Sequence, residues 1–160
     1  MTVTYESIGT IHTPFRTGKG IPIQPPGAEG VKGSISIKKK YVKGLKDLDG
    51  FSHIILIYHL HKSKDYALEV MPFLENRFHG VYATRAPKRP NPIGLSVVNL
   101  IRIKQNIVEI QNVDMLNGTP LLDIKPFIPD FDCPSVSKTG WIQNISHKAR
   151  TSRSDNRFDR

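Results

Sequence analysis

Alternation between apolar and polar positions is the dominant signal along this chain. Residues 51–61, FSHIILIYHLH, put Ile54, Leu56, Tyr58 and Leu60 at even positions. The odd positions mix Ile55 and Ile57 with His53, His59 and His61. Apolar residues on both faces predict a central strand covered on both sides, with a wetter end at the histidines. From 94 to 113 the pattern is that of a hairpin. Val97, Asn99, Ile101 and Ile103 alternate with Val98, Leu100, Arg102 and Lys104, Gln105-Asn106 supplies the turn, and IVEIQNV returns. Shorter strands are predicted over 3–11, 31–37, 81–85 and 120–127. Residues 42–49 read as one or two helical turns closed by Gly50.

Between the first two strands, residues 14–30 collect four Pro and four Gly, the mark of a long irregular loop. With 12 Gly and 12 Pro in 160 residues and no strong amphipathic helix, the predicted fold is mainly β: a single antiparallel sheet or barrel with short helical segments. Residues 1–140 form one domain. Residues 141–160 form a polar, basic C-terminal tail, expected to be mobile unless a partner orders it.

Composition narrows the class. Hydrophobic residues at 38% and charged residues at 23% fit a globular chain. One cysteine, Cys133, excludes an intrachain disulfide framework and fits a reducing compartment. No apolar run nears the ~20 residues that span a bilayer, and the N-terminus lacks a signal-peptide pattern, so a cytoplasmic protein is expected. Lys and Arg number 23 against 14 Asp and Glu, a net charge of +9 that suits a polyanionic partner such as nucleic acid.

Several chemistries lack support. There is no G-x-G-x-x-G, no phosphate-loop motif and no G-x-S-x-G, and Cys133 has no base beside it. His53, His59 and His61 share one side of their strand, but a catalytic metal needs a further ligand. Hydrogen-bonded histidines in a cleft are the plainer reading, and no metal is expected.

Two stretches stand out. ATRAPKRPNPIGLS, 83–96, holds Arg85, Lys88 and Arg89 among prolines that fix φ, which suits recognition of carboxylate or phosphate; the bland alternative is a solvated basic turn. In DMLNGTPLLDIKPFIP, 114–129, Asp114 and Asp123 flank a turn, where acids either cap or serve a ligand.

Taken in order, IGTIHTPF, QPPG, GFSHIILIYHLH, YATRAPKRPNPIGLS and NGTPLLDIKPFIP closely resemble the TrmO family of tRNA methyltransferases, also called TsaA-like. The resemblance runs over residues 5–130. It implies a small non-Rossmann β-barrel that binds S-adenosylmethionine, works as a homodimer and needs no metal or membrane. The implied activity is methylation of N6 of threonylcarbamoyladenosine at position 37 of the tRNA anticodon stem-loop. Longer members carry a C-terminal domain, and this chain looks like the short form.

Residue by residue, the resemblance puts cofactor contacts at Pro26, Gly27 and Ala28, at His61 and Lys62, at Arg85 and Leu95, and at Asn112, Val113 and Asp114. Position 62 is Lys where bacterial members often carry a neutral polar residue. Asp114 or Asp123 is available to take the N6 proton. Lys88 and Arg89 on the stiff loop, and Lys38, Lys39 and Lys40, are candidate RNA contacts, although the lysine run also reads as a solvated strand end. Two other functions fit the same residues: a non-catalytic RNA-binding β-barrel, and a small-molecule S-adenosylmethionine-dependent methyltransferase.

Overall fold

The computed structural model describes residues 1–158. Its strands are β1 Gly9–His12, β2 Lys32–Ile37, β3 His53–His59, β4 Glu69–Val70, β5 His79–Gly80, β6 Ile93–Lys104, β7 Ile107–Gln111 and β8 Thr119–Pro126, followed by a one-turn helix, α1, at Pro129–Asp132. Six of them close an antiparallel barrel in the order β1-β2-β7-β6-β3-β8, and β4 pairs with β5 as a separate ribbon. The expected β-barrel with short helical segments is the observed fold. The Gln105-Asn106 hairpin turn is also present, with Gln105 at φ 56 and Lys104 opposite Ile107.

Alternation builds the core. Ile11, Ile35, Ile54, Leu56, Val98 and Val108 point inward and are fully buried. Burial on this scale is the main term favouring the fold, at about 25 cal/mol for each Å² of apolar surface removed from water. β3 is a barrel strand rather than one covered equally on both faces. Its inward Ile54 and Leu56 are buried, while Ile55 and Ile57 are half-buried on the outside.

Two strand expectations are corrected. The first strand begins at Gly9, not at residue 3, because its pairing with β2 and β8 ends there. The strand expected over 81–85 is a 3-10 turn at Val81–Ala83, closed by the Thr84 Oγ1 hydrogen bond to the Val81 carbonyl at 2.9 Å. The helical turns expected at 42–49 are present as two 3-10 segments, Lys39–Leu45 and Leu48–Gly50.

The C-terminal segment folds back onto the barrel loops. Ser154 bonds the chain at Gly18, Gly20 and Ile21, and Trp141 Nε1 donates to the Ala83 carbonyl at 2.7 Å. Its polar composition hid these anchors, which are single contacts rather than a periodic face. The last two positions of the expected tail, 159 and 160, lie outside the described residues.

A bulge decides where one candidate acid points. β3 and β8 pair Tyr58 with Leu121 but Ile57 with Asp123, so one extra residue of β8 sits between them. Thr119 and Leu121 are buried before the bulge, and Ile124 packs on the core after it. Asp123 is thereby turned outward, where it pairs with Lys125 at 2.8 Å, both side chains about half exposed (46% and 58%).

Leu56→Ala is expected to lower the unfolding free energy by about 2–5 kcal/mol, read as an earlier denaturant midpoint. Lys125→Ala, which removes only an exposed ion pair, should change it by less than about 1 kcal/mol. Equal effects from the two would contradict the placement of Leu56 in the core.

Candidate functional site

Three segments far apart in sequence meet at one end of the barrel: the loop around Gln24, the end of β3 with the turn after it, and the Arg85 turn leading into β6. They border two cavities that share a wall formed by Ile23, Gln24, Phe73, Thr84, Arg85, Leu95 and Phe158, and the larger extends along the outward-facing Leu95, Val97 and Asn99 of β6 to His53 of β3. The larger, of about 1120 Å³, is walled mainly by apolar and aromatic side chains, among them Leu74, Tyr82, Val97 and Trp141. The smaller, of about 410 Å³, holds His61, Lys62, Arg89, Asp114 and Asp155 beside Arg85.

Arg85 owes its position to a braced loop. Ala86 N donates to Thr84 Oγ1 at 3.2 Å. Arg89 Nη1 reaches the carbonyls of Val81, Thr84 and Ala86 at 3.0, 2.8 and 3.4 Å. Arg89, expected to meet phosphate, therefore turns this donor onto its own loop and holds it rigid. Arg85 is left exposed to both cavities, its Nη1 donating to Gln24 Oε1 at 2.8 Å.

Asp114 is held by a buried hydroxyl chain. Ser96 Oγ donates to Asp114 Oδ1 at 2.7 Å, and the Tyr58 hydroxyl lies 3.0 Å from Ser96 Oγ. A serine hydroxyl has one proton, so with that proton on Asp114 the tyrosine must be the donor to Ser96. Ser96 is 1% exposed and Tyr58 6%. Burial pushes the Asp114 carboxyl up to about 6, against the opposing pull of the Ser96 hydrogen bond and the Arg85 charge. Burial, and then the Asp114 charge, also lift the Tyr58 phenol above its usual range, so it stays protonated.

His61 lies 3.5 Å from Thr119 Oγ1 through Nδ1. Burial, followed by the Lys62 and His59 charges, lowers its pKa and favours the neutral imidazole.

The other expected contacts divide. Pro26, Leu95 and Asn112 line the larger cavity, and Leu95 lines both. Asn112 sits at φ 67, donates to Asn99 Oδ1 at 2.7 Å and accepts from Gly30 N at 2.9 Å, so its amide ties the loop to β6. Gly27, Ala28 and Val113 line neither cavity. Ala28 and Val113 are fully buried, and a Cβ on Gly27 would stand 2.8 Å from the Ala149 carbonyl.

Asp123 is outside both cavities, on the barrel exterior, which removes it as a proton acceptor for a ligand there. Lys88 pairs with Asp65 at 3.3 Å. Lys38 and Lys40 lie 3.4 and 2.8 Å from Glu6. Lys40, then Tyr41 and Lys38, hold the Glu6 carboxyl down to about 2. Lys39 is exposed beside them. His53 and His61 line different cavities, and among the described residues no three His, Cys, Asp or Glu side chains gather as a metal site requires.

Sequence reasoning missed Tyr58, Ser96, Gln24, Phe73, Trp141 and Phe158. One signal was present: Ser96 is a polar residue at an inward step of an apolar alternation. Gly94 was another. It faces Tyr58 in the β3–β6 register, and a Cβ there would come within 2.2 Å of the tyrosine ring, so only glycine lets the ring lie across β6. Gly94→Ala is expected to destabilise the fold by about 1–3 kcal/mol through overpacking and to alter tyrosine near-UV ellipticity. An unchanged midpoint would show that the ring does not rest there.

Comparison with known proteins joins this geometry to a lineage. The family model of the tRNA-methyltransferase O N-terminal domain matches residues 10–133. The chain is 49% identical over 156 residues to a probable S-adenosyl-L-methionine-binding protein of Pyrococcus abyssi, covering 98% of this chain and 85% of that one. It is 35% identical over 152 residues to the tRNA (adenine(37)-N6)-methyltransferase of Mus musculus, covering 91% of this chain and 35% of that one. A crystal structure of TrmO from Pseudomonas aeruginosa superposes with a TM-score of 0.74 at 33% identity, over 88% of this chain and 63% of that one. The chain thus spans less than two thirds of that solved protein. With barrel and sequence agreeing through the matched span, the chain belongs to the tRNA-methyltransferase O family.

Proposed function

We propose that this protein is an S-adenosylmethionine-dependent tRNA methyltransferase acting in the cytoplasm on N6 of threonylcarbamoyladenosine at position 37 of the anticodon loop. The observation that carries this reading is the convergence of Arg85, His61 and Asp114 on one cavity from three separate stretches of chain. The names of the relatives that bind S-adenosylmethionine or methylate adenine 37 support it from outside the structure.

The site residues fit the donor's three chemical parts. Arg85 offers a guanidinium for its carboxylate, Asp114 an anion for its positive charge, and Ile23 and Leu95 apolar surface for its ring. When bound, the donor supplies an electrophilic methyl group on sulfur. The chain's own tasks are to orient and to move a proton. The N6 of a threonylcarbamoylated adenine is urea-like and weakly nucleophilic, so losing its proton as the new bond forms lowers the barrier. Asp114 is the residue proposed to take that proton on its carboxylate. Ser96 fixes the carboxylate by hydrogen bond, and Tyr58 fixes Ser96.

Arg85 also holds reacting groups in place across both cavities, and positioning of this kind can be worth several kcal/mol of barrier, up to roughly 7–11 in well-oriented systems. The net charge of +9 supports tRNA as the partner. The homodimer is supported by the exposed Tyr66, Leu68 and Phe78 flanking the β4–β5 ribbon. Among the described residues no helix is long and apolar enough to cross a membrane.

Calorimetry with S-adenosylmethionine and tritium transfer into threonylcarbamoylated against unmodified tRNA test the assignment. Transfer into the modified tRNA alone is expected. RNA binding with a steep salt slope and no cofactor dependence would instead identify a non-catalytic binder. Transfer into small metabolites would identify a different methyltransferase. Arg85→Ala should weaken cofactor binding by about tenfold or more, the worth of a charge-assisted contact.

Activity should fall as pH drops through about 6, where Asp114 gains its proton. Asp114→Asn should abolish the transfer and Asp123→Asn should leave it intact. Because the folded pKa of Asp114 lies above the unfolded one, the folded state binds the extra proton. Its contribution to stability is therefore present at low pH and is lost as pH rises through about 6. A flat activity profile between pH 5 and 8 would remove Asp114 as the proton acceptor.

A further inference from the structure

The chain continues past residue 133, where the match to the family model ends, and residues 146–158 fasten the site loops to one another. Ser154 is the main fastener. Its Oγ donates to the Gly18 carbonyl at 2.6 Å and accepts from Ile21 N at 2.9 Å. Its backbone N donates to the Ile21 carbonyl at 2.8 Å, its carbonyl accepts from Gly20 N at 2.9 Å, and Arg153 bridges Pro22. The turn Ser146–Arg150 lies against the turn Pro25–Gly27. A Cβ on Gly27 would stand 2.8 Å from the Ala149 carbonyl and 3.1 Å from that of Arg150. Farther along, Arg157 Nη1 reaches the Pro72 carbonyl at 2.6 Å, and Phe158 meets Phe73 edge-on at 5.0 Å.

Gln24 lies between two of these fixings. Ser154 holds the loop on one side of it, at 18–22, and the Ala149–Arg150 backbone abuts Gly27 on the other. Gln24 is thereby set on the wall common to both cavities, where its Oε1 accepts from Arg85 Nη1 at 2.8 Å. A guanidinium has only donors, so the amide must present its oxygen. Arg85 is exposed, and a long side chain gives up rotamer freedom when it meets a ligand. An acceptor that orients it beforehand removes part of that cost. Being uncharged, Gln24 does so without neutralising the cation.

We propose that residues 146–158 are a strap that positions Arg85: Ser154 sets the loop, the loop sets Gln24, and Gln24 aims the guanidinium at the carboxylate of the methyl donor. This rests on the part given to Arg85 in the function proposed above, and adds Gln24 and Ser154 as positioning residues. Because Arg85 stands on the shared wall, the strap acts the same way whichever cavity takes the carboxylate. Linkage makes the effect mutual: a docked strap favours the donor, and a bound donor holds the strap down by the same factor.

Calorimetry on the full chain with S-adenosylmethionine and with its decarboxylated form isolates the carboxylate. The wild-type chain should bind the first about tenfold more tightly, the worth of a charge-assisted contact. Ser154→Ala and Gln24→Leu should each weaken S-adenosylmethionine by about fivefold and the decarboxylated form by less than about twofold. Ser154→Thr, which keeps the hydroxyl, should stay close to wild type. Saturating S-adenosylmethionine should slow tryptic cleavage after Lys148, Arg150 and Arg153 by about fivefold, and the decarboxylated form by less than about twofold.

Equal losses of both donors in the two variants would make the strap a support of the whole cavity and overturn the positioning role. Unchanged affinities in Gln24→Leu, which touches none of the Ser154 hydrogen bonds, would overturn it even if Ser154→Ala were poorly folded. If Arg85→Ala erases the preference for the carboxylate while Ser154→Ala keeps it, the strap fails and the function stands. A wild-type chain that binds both donors equally overturns the strap through Arg85. One that binds neither removes the function as well.

Discussion

The site depends on a polar chain buried where an apolar core would otherwise continue. Tyr58, Ser96 and Asp114 carry hydroxyl, hydroxyl and carboxylate from the barrel interior to the edge of the smaller cavity, each satisfied by the next. Unsatisfied, any one of them would cost about 1–3 kcal/mol, and more for the charged member. The chain of hydroxyls therefore fixes the Asp114 carboxylate at the edge of the smaller cavity. Gly94 is the steric condition for all of it, since the Tyr58 ring occupies the space that a side chain would fill.

Around that chain the barrel divides its labour. β3 and β6 face each other residue by residue from His53–Asn99 to His59–Ile93, and this long register sets Tyr58, Ser96 and Leu95 in place. The loops beyond the strands supply the charges, and each is braced. Arg89 holds the Arg85 turn, Asn112 ties the long loop to β6, and Ser154 pins the C-terminal segment. Cations so held lose little freedom on binding, which is how a small fold can present a defined anion site.

The parts legible in the sequence are those in which side-chain period and structure coincide. Ile54, Leu56 and Tyr58 announce β3, and the 94–113 hairpin with its Gln105-Asn106 turn is readable from alternation alone. The bulge opposite Tyr58 is not, because one extra residue leaves no mark in a run of mixed polarity, and it reverses the facing of Asp123. The C-terminal segment was illegible for another reason. Its anchors, Trp141, Ser154 and Phe158, are far apart and follow neither strand nor helix spacing. The order of motifs pointed to stretches that border the cavities, whereas Gly27, Ala28 and Val113 line neither and pack against their neighbours.

Barrel closure has an effect that reaches beyond a single molecule. β1 pairs with both β2 and β8, so every barrel strand has a hydrogen-bonded neighbour on each side. Among the described residues the barrel leaves no long row of unpaired amides and carbonyls as a template for a foreign strand, the usual starting point for sheet extension and fibril growth. Another copy must then meet this barrel through side chains rather than by lengthening the sheet, which lets a strand-rich protein associate without inviting aggregation.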